Sequence, residues 1–291
     1  MENRKNFPES VNIHLTQRCN YRCKFCFAKY HNLTKELDCN QFIKIINVLA
    51  NSGCKKINFA GGEPTLVSFL SKLISHSKDQ GLYTSLISNG TGIDQEFIKR
   101  NSDQLNLIGL SIDSQMDTIE NMLGRTIIKN TAHYSHVDNI KNKVKLMKEF
   151  GVPIKINSVI TPFNWNEDMT NLIKYIEPIR WKVFEIHRIK GINDGFFNEF
   201  GQLEHWKLKI FIQKHKNLSP IFESSNMILD SYCMITPDGR FYQDTNNQHH
   251  YSHPILKIGI YEALNQIKYK EKKYIMRKGD YFKYSINSIS E

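Results

Sequence analysis

Three cysteines fall within one short run, Cys19-Asn20-Tyr21-Arg22-Cys23-Lys24-Phe25-Cys26. Thiolates at this C-x3-C-x2-C spacing can each take one iron of a cubane iron–sulfur cluster. A tetrahedral zinc site would need a fourth ligand, for which His31 is the nearest candidate. Under the cluster reading the missing fourth thiolate leaves one iron open to a small molecule. Cys39, Cys54 and Cys233 are scattered and cannot supply a second cluster. His14, His187, His249, His250 and His253 are dispersed or lie in a polar turn, without a matching carboxylate pattern, and are expected to be structural or exposed. Downstream stands Gly61-Gly62-Glu63-Pro64. The glycine pair lets backbone approach a ligand and the proline suits a helix start, although by itself the segment is an ordinary strand-to-helix turn.

A second set of residues is cationic. Along a strand, side chains alternate between faces. Lys56 and Asn58 therefore share a face opposite Ile57 and Phe59, and Lys155 and Asn157 one opposite Ile154 and Ile156. Arg180 and Lys182 share a face opposite Trp181 and Val183, and Asn12 and His14 one opposite Val11 and Ile13. If helices cover the outside, the apolar face meets them and the polar face lines the interior. Four enclosed cations without a matching carboxylate on these strands would each cost several kcal/mol, about what a buried unpaired charge costs. They call for an anion, and a triphosphate, with roughly four negative charges, would suit them. The alternative is that these strands are exposed edges and the cations are merely solvated.

The elements that must position these residues follow from periodicity. Strand-like runs are predicted at 11–16, 56–60, 83–88, 105–113, 153–160 and 180–188, with amphipathic helices at 40–50, 66–78, 94–101, 136–150 and 167–176. Alternation of this kind predicts an α/β fold with a parallel sheet and helical crossovers, either a partial (βα)6 barrel or an open sheet. In both, ligands belong at the carboxyl ends of the strands. After Gly191 the rhythm changes to a helix at 202–215 and a hairpin at 230–243 turning at Pro237-Asp238-Gly239. The expected division is a barrel over 1–193 and a C-terminal extension over 194–291 that caps the site.

The 291 residues carry 39 basic and 29 acidic side chains, a net charge of +10. Taken alone, this charge is compatible with nucleic acid, an anionic membrane or an anionic substrate. The cations are spread along the chain rather than clustered. No run approaches a transmembrane length and residues 1–12 lack a signal-peptide core, so the chain reads as cytoplasmic, where thiols stay reduced.

The cysteine motif, with Phe25 before its last cysteine, resembles the radical S-adenosylmethionine superfamily, and Gly61-Gly62-Glu63-Pro64 resembles that superfamily's second signature. More specifically the chain is similar to the viperin family, particularly its prokaryotic members. The resemblance lies in Val11-Asn12-Ile13-His14, Lys56-Ile57-Asn58-Phe59, Ser88-Asn89-Gly90, Ser111-Ile112-Asp113-Ser114, Gly124-Arg125, Lys155-Ile156-Asn157-Ser158-Val159 and Arg180-Trp181-Lys182-Val183-Phe184. It runs from about residue 11 to 193 and resumes at Asp230-Ser231-Tyr232 and Arg277-Lys278-Gly279.

The resemblance implies a radical S-adenosylmethionine partial barrel holding a [4Fe-4S] cluster on Cys19, Cys23 and Cys26. It implies S-adenosylmethionine bound by Phe25, Gly61, Gly62, Glu63, Pro64, Ser88, Asn89, Ser111 and Arg125. Asn12, Lys56, Asn58, Lys155, Asn157, Arg180 and Lys182 would bind a ribonucleoside triphosphate, with Tyr232 as hydrogen donor. The implied reaction is dehydration of CTP, UTP or GTP to the 3′-deoxy-3′,4′-didehydro nucleotide, a chain terminator in anti-phage defence. Such an enzyme needs an electron donor such as flavodoxin or ferredoxin; it is expected to act as a monomer, without nucleic acid or membrane. The competing readings are a radical enzyme on another phosphorylated small molecule and a non-catalytic, cluster-containing scaffold. This chain departs from the family in three places. Ala60 replaces the serine before Gly-Gly, strand one begins by Val11 with no amphipathic membrane helix before it, and the C-terminal tryptophan is missing at 289–291.

Overall fold

The computed structural model describes residues 7–33, 35–127 and 134–283, so the departure at 289–291 lies outside the described residues. Six parallel strands form its centre: β1 (Ser10–His14), β2 (Lys56–Ala60), β3 (Tyr83–Ser88), β4 (Leu107–Ser111), β5 (Ile154–Ile160) and β6 (Arg180–Glu185). All six coincide with the sequence expectation to within a few residues. Helices α1 (Cys39–Asn51), α2 (Leu70–Asp79), α3 (Gln95–Asn101), α4 (Asp117–Met122), α5 (His136–Glu149) and α6 (Thr170–Ile176) connect them. The curved sheet with its helical cover is a partial barrel.

Local chemistry explains the helix limits. Asp38 caps α1 through a capping box with Gln41, and Phe42, Ile45, Ile46 and Leu49 form the buried stripe. α2 begins four residues later than predicted. Residues Pro64–Leu66 go instead into a 3-10 turn whose Thr65 amide is capped by the Glu63 side chain. α6 starts three residues late because Asp168 accepts the Thr170 amide at 2.9 Å, while the Glu167 carboxylate turns inward to the Ser114 hydroxyl at 2.9 Å.

The segment after β6 carries the helix expected at 202–215 and the expected hairpin, together with elements that sequence periodicity missed. It carries α7 (Asp194–Phe200), α8 (His205–Lys214), β7 (Ile221–Glu223), α9 (Ser225–Ile228), β8 (Cys233–Ile235), β9 (Arg240–Thr245), β10 (Gln248–Pro254), α10 (Ile255–Ile258), α11 (Ile260–Asn265) and α12 (Glu271–Met276). The predicted hairpin is β8–β9, antiparallel through the 236–239 turn. Its surroundings were not foreseen. β8 pairs in parallel with β1, β7 pairs in parallel with β6, and β10 extends β9, giving one sheet in the order β10-β9-β8-β1-β2-β3-β4-β5-β6-β7. The three-residue strands β7 and β8 are too short to show a period. One apolar core runs beneath both parts of the chain, from Val11 and Phe42 through Trp181 to Phe241 and Ile255. Among the described residues no helix is long and apolar enough to cross a membrane.

Candidate active site

The loop after β1 carries Cys19, Cys23 and Cys26 to the wall of the cavity on the concave face of the sheet. Two backbone bonds hold the loop against the end of α4, Arg22 N to Gly124 O at 3.1 Å and Lys24 N to Leu123 O at 2.9 Å. Gly124 has φ +76°, and a Cβ there would stand 2.2 Å from the Arg22 carbonyl oxygen. Gly62 is equally confined: its Cβ would lie 2.2 Å from the Arg18 carbonyl oxygen. Both glycines are required by close backbone approach. Burial pushes the Cys23 thiol up to about 12 and raises Cys19 and Cys26 as well. Three such thiols ionise only against strong positive charge, as a metal cluster provides. His31 stands apart, its imidazole against Gly191 and its amide on the Tyr251 hydroxyl. Among the described residues, no three His, Cys, Asp or Glu side chains gather tightly enough to grip a single ion. The donor set therefore fits a multi-iron cluster better than a zinc knuckle.

Glu63 is buried and fully engaged. One carboxylate oxygen accepts from the Ser88 hydroxyl at 2.8 Å and from Thr65, and the other from the Asn89 amide at 2.8 Å. It thereby locks the glycine turn to the end of β3, while its outer edge still reaches the cavity with Gly61 and Gly62. Pro64 is buried behind the turn and does not line the cavity. Arg125 lines it, held by Asp113 at 2.6 Å and Glu120 at 3.4 Å, with its guanidinium 5.7 Å from the Phe25 ring centre. Ser111, Ser88, Asn89 and Phe25 share the same wall.

Along the strands the polar faces point inward as the alternation requires. Asn12, Lys56, Asn58, Lys155, Asn157 and Lys182 line the cavity. Arg180 does not, but lies just beneath it, its guanidinium 4.1 Å from the Tyr281 ring on which Lys56 also stacks at 4.1 Å. The sequence reading found no carboxylate to match these cations. The structure brings one, Glu223 on β7, which ion-pairs with Lys182 and lies 3.7 Å from Arg277. Tyr232 donates its phenolic proton to Glu223 at 2.5 Å and accepts from Lys182 at 3.1 Å, with the Arg277 guanidinium 3.5 Å from its ring centre.

Lys56, Lys155, Arg180, Lys182 and Arg277, five basic side chains, thus stand against one carboxylate. Burial, followed by mutual repulsion, pushes Lys56 and Lys155 well below the usual lysine range. Lys182 falls to about 7 because burial and the neighbouring guanidinium groups outweigh Glu223. Two donors, Arg180 Nε and Arg277 Nε, are buried without a hydrogen-bond partner. The cradle is short of an anion.

The superfamily model described as Radical SAM superfamily matches residues 13–176. An S-adenosylmethionine-dependent nucleotide dehydratase of Flammeovirga pacifica is 34% identical over 283 residues, covering 95% of this chain and 96% of that protein. One of Danio rerio is 33% identical over 94% of this chain and 78% of its own length. The chain belongs to the viperin family of radical S-adenosylmethionine enzymes. Solved structures agree on the fold. SuiB of Streptococcus suis bound to S-adenosylmethionine gives a TM-score of 0.65 at 15% identity, over 81% of this chain and 60% of that one. The anSMEcpe structure with bound AdoMet gives 0.61 at 18%, over 90% and 81%. Both enzymes of this fold hold S-adenosylmethionine, and a [4Fe-4S] cluster and S-adenosylmethionine are the cofactors of the superfamily.

Against this viperin-family frame, sequence reasoning missed Glu223, Arg277 and Tyr281. Arg277 stood in a family-like segment, Arg277-Lys278-Gly279, and that was the available signal. Glu223 sits in a strand of three residues and carried none. The histidines need one correction: His14 and His187 are not merely structural or exposed but line the cavity. His14 is buried between the Tyr30 hydroxyl at 2.6 Å and the Tyr242 hydroxyl at 3.2 Å, and burial lowers it to about 3, so it stays neutral.

Proposed function

We propose that this protein dehydrates a ribonucleoside triphosphate to its 3′-deoxy-3′,4′-didehydro analogue. The carrying observation is an anion-deficient cradle in which Lys56, Lys155, Lys182 and Arg277 share one cavity with the three cysteines, Arg180 lying outside it. When bound, S-adenosylmethionine at the reduced cluster supplies a 5′-deoxyadenosyl radical that can remove a sugar hydrogen.

The chain's own residues do the positioning. Lys56, Lys155, Lys182, Arg180 and Arg277 grip the triphosphate, with Asn12, Asn58 and Asn157 as neutral partners, so that C4′ is held toward the cofactor end. Phe25, Gly61, Gly62, Glu63, Ser88, Asn89, Ser111 and Arg125 form the S-adenosylmethionine wall, with Pro64 shaping the turn from behind. After the C4′ hydrogen is lost, Tyr232 gives one electron and its phenolic proton. The electron completes the C3′–C4′ double bond, the proton leaves with the 3′-hydroxyl as water, and an external one-electron donor of the flavodoxin or ferredoxin type, with a proton from solvent, restores the tyrosine. Glu223 and Lys182 orient the phenol for this step. In this reading residues 1–193 are the radical barrel, residues 194–291 cap the nucleotide site, and the enzyme works as a cytoplasmic monomer.

The test is anaerobic reconstitution followed by incubation with each triphosphate and mass spectrometry. A product lighter than its substrate by one water is expected, and Cys19→Ala, Cys23→Ala or Cys26→Ala should abolish it. Deoxyadenosine without a dehydrated nucleotide from any triphosphate would instead point to another phosphorylated substrate.

A further inference from the structure

The cavity has a polar end that the triphosphate cradle and the cofactor wall leave unused. It lies at the seam where the segment after β6 meets β9 and β10, joined by the bond from Lys190 N to Asn247 O at 2.8 Å. Asp244 on β9 faces the cavity there and is 2% exposed, yet no described residue donates a hydrogen bond to its carboxylate. His249 Nε2 lies 2.9 Å from Oδ1 but off the bonding direction, so both atoms remain without a hydrogen bond. Across the seam, His187 Nε2 is also unpartnered, 4.0 Å from Oδ2, too far for a direct bond. Its side chain is 9% exposed, and burial lowers its pKa, leaving a neutral ring with one N–H to give. Glu185, the other acid on this wall, is already occupied by the Ser225 amide at 2.8 Å.

A buried carboxylate that meets only imidazoles, with no well-formed hydrogen bond, is costly and can accept donors from a ligand. The cradle holds the phosphates along the strands, and Glu185 and His187 stand three and five residues past Lys182 on the same segment. At the strand rise of about 3.3 Å per residue, the seam begins roughly 10 Å beyond the phosphate cations, within the same cavity.

Resting on the nucleotide reading above, we propose that Asp244 and His187 read the nucleobase and favour guanine. Guanine offers two adjacent donors, N1–H and N2–H2, that match the two oxygens of one carboxylate, with O6 beside them to accept from the imidazole. Cytosine can give Asp244 only its amino group. Uracil gives a single N–H flanked by carbonyls that would face the carboxylate.

Competition between equimolar GTP, CTP and UTP in one reaction tests this, because product ratios do not depend on the fraction of active enzyme. A good bidentate base contact discriminates by about tenfold or more, so the GTP product should exceed the UTP product by at least that factor. Asp244→Asn, which turns one acceptor into a donor, should lower the ratio about tenfold, and His187→Leu should lower it too. Calorimetric binding of GTP and UTP to the same proteins should follow the same order without turnover. A wild-type ratio near one, or an unchanged ratio in both variants, overturns the proposal. No dehydrated nucleotide from any triphosphate would overturn the nucleotide reading itself instead.

Discussion

Binding of a nucleoside triphosphate should draw protons from solution, and the structure sets the amount. In the free protein Lys182 titrates at about 7, because burial and the adjacent guanidinium groups oppose its charge. It is therefore about half protonated at pH 7 and about one-tenth protonated at pH 8. A bound triphosphate reverses the local field and restores the ammonium form. Lys182 alone then takes up about 0.5 proton at pH 7 and about 0.9 at pH 8. Lys56 and Lys155, both pushed well below the lysine range, add to this and cannot subtract from it. The assay is titration calorimetry in magnesium-free buffers of differing ionisation enthalpy, where the slope of observed heat against buffer enthalpy counts protons. Uptake should be positive and larger at pH 8 than at pH 7. The same shift has a stability consequence. The folded pKa of Lys182 lies below its unfolded value of 10.5, so the unfolded chain binds more protons between the two and nucleotide-free protein gains stability as pH rises from 7. The terminal phosphate sheds some proton of its own near pH 7, so the deciding measurement is at pH 8, where a zero slope, or proton release, would refute the reasoning that these lysines are held short of an anion.

Two further predictions concern single side chains. Arg125→Ala leaves Asp113 and Glu120 buried without their cation and should cost about 3–5 kcal/mol in denaturant unfolding; a loss below about 1 kcal/mol would mean that the ion pairs at 2.6 and 3.4 Å contribute little. Tyr232→Phe keeps the ring under Arg277 but removes the O–H bonded to Glu223, so deoxyadenosine should still form while dehydrated nucleotide per deoxyadenosine falls tenfold or more, read by mass spectrometry from one reaction. An unaltered ratio would remove Tyr232 from the reaction.

The central barrel and the cysteine motif were legible in the sequence because both are written at short range. Strand alternation along Lys155-Ile156-Asn157 decides which side chains face inward, and the burial along β5 alternates accordingly. The spacing of Cys19, Cys23 and Cys26 likewise carries its chemistry within one loop. What the sequence could not decide are partnerships across long separations. Glu223 answers Lys182 from 41 residues away, Tyr281 reaches Lys56 across 225, and Asp244 meets His187 only because β9 and the end of β6 converge at the seam. β7 and β8 are three residues long, too short for periodicity to announce, and they join the sheet beside β6 and β1 through pairings that no local pattern specifies. The residue types suited to a cluster and a polyanion were thus legible in the sequence alone. Which charges remain unbalanced, and which polar groups at the seam stay without a hydrogen-bond partner, was decided by the tertiary structure, because burial and through-space distance set both.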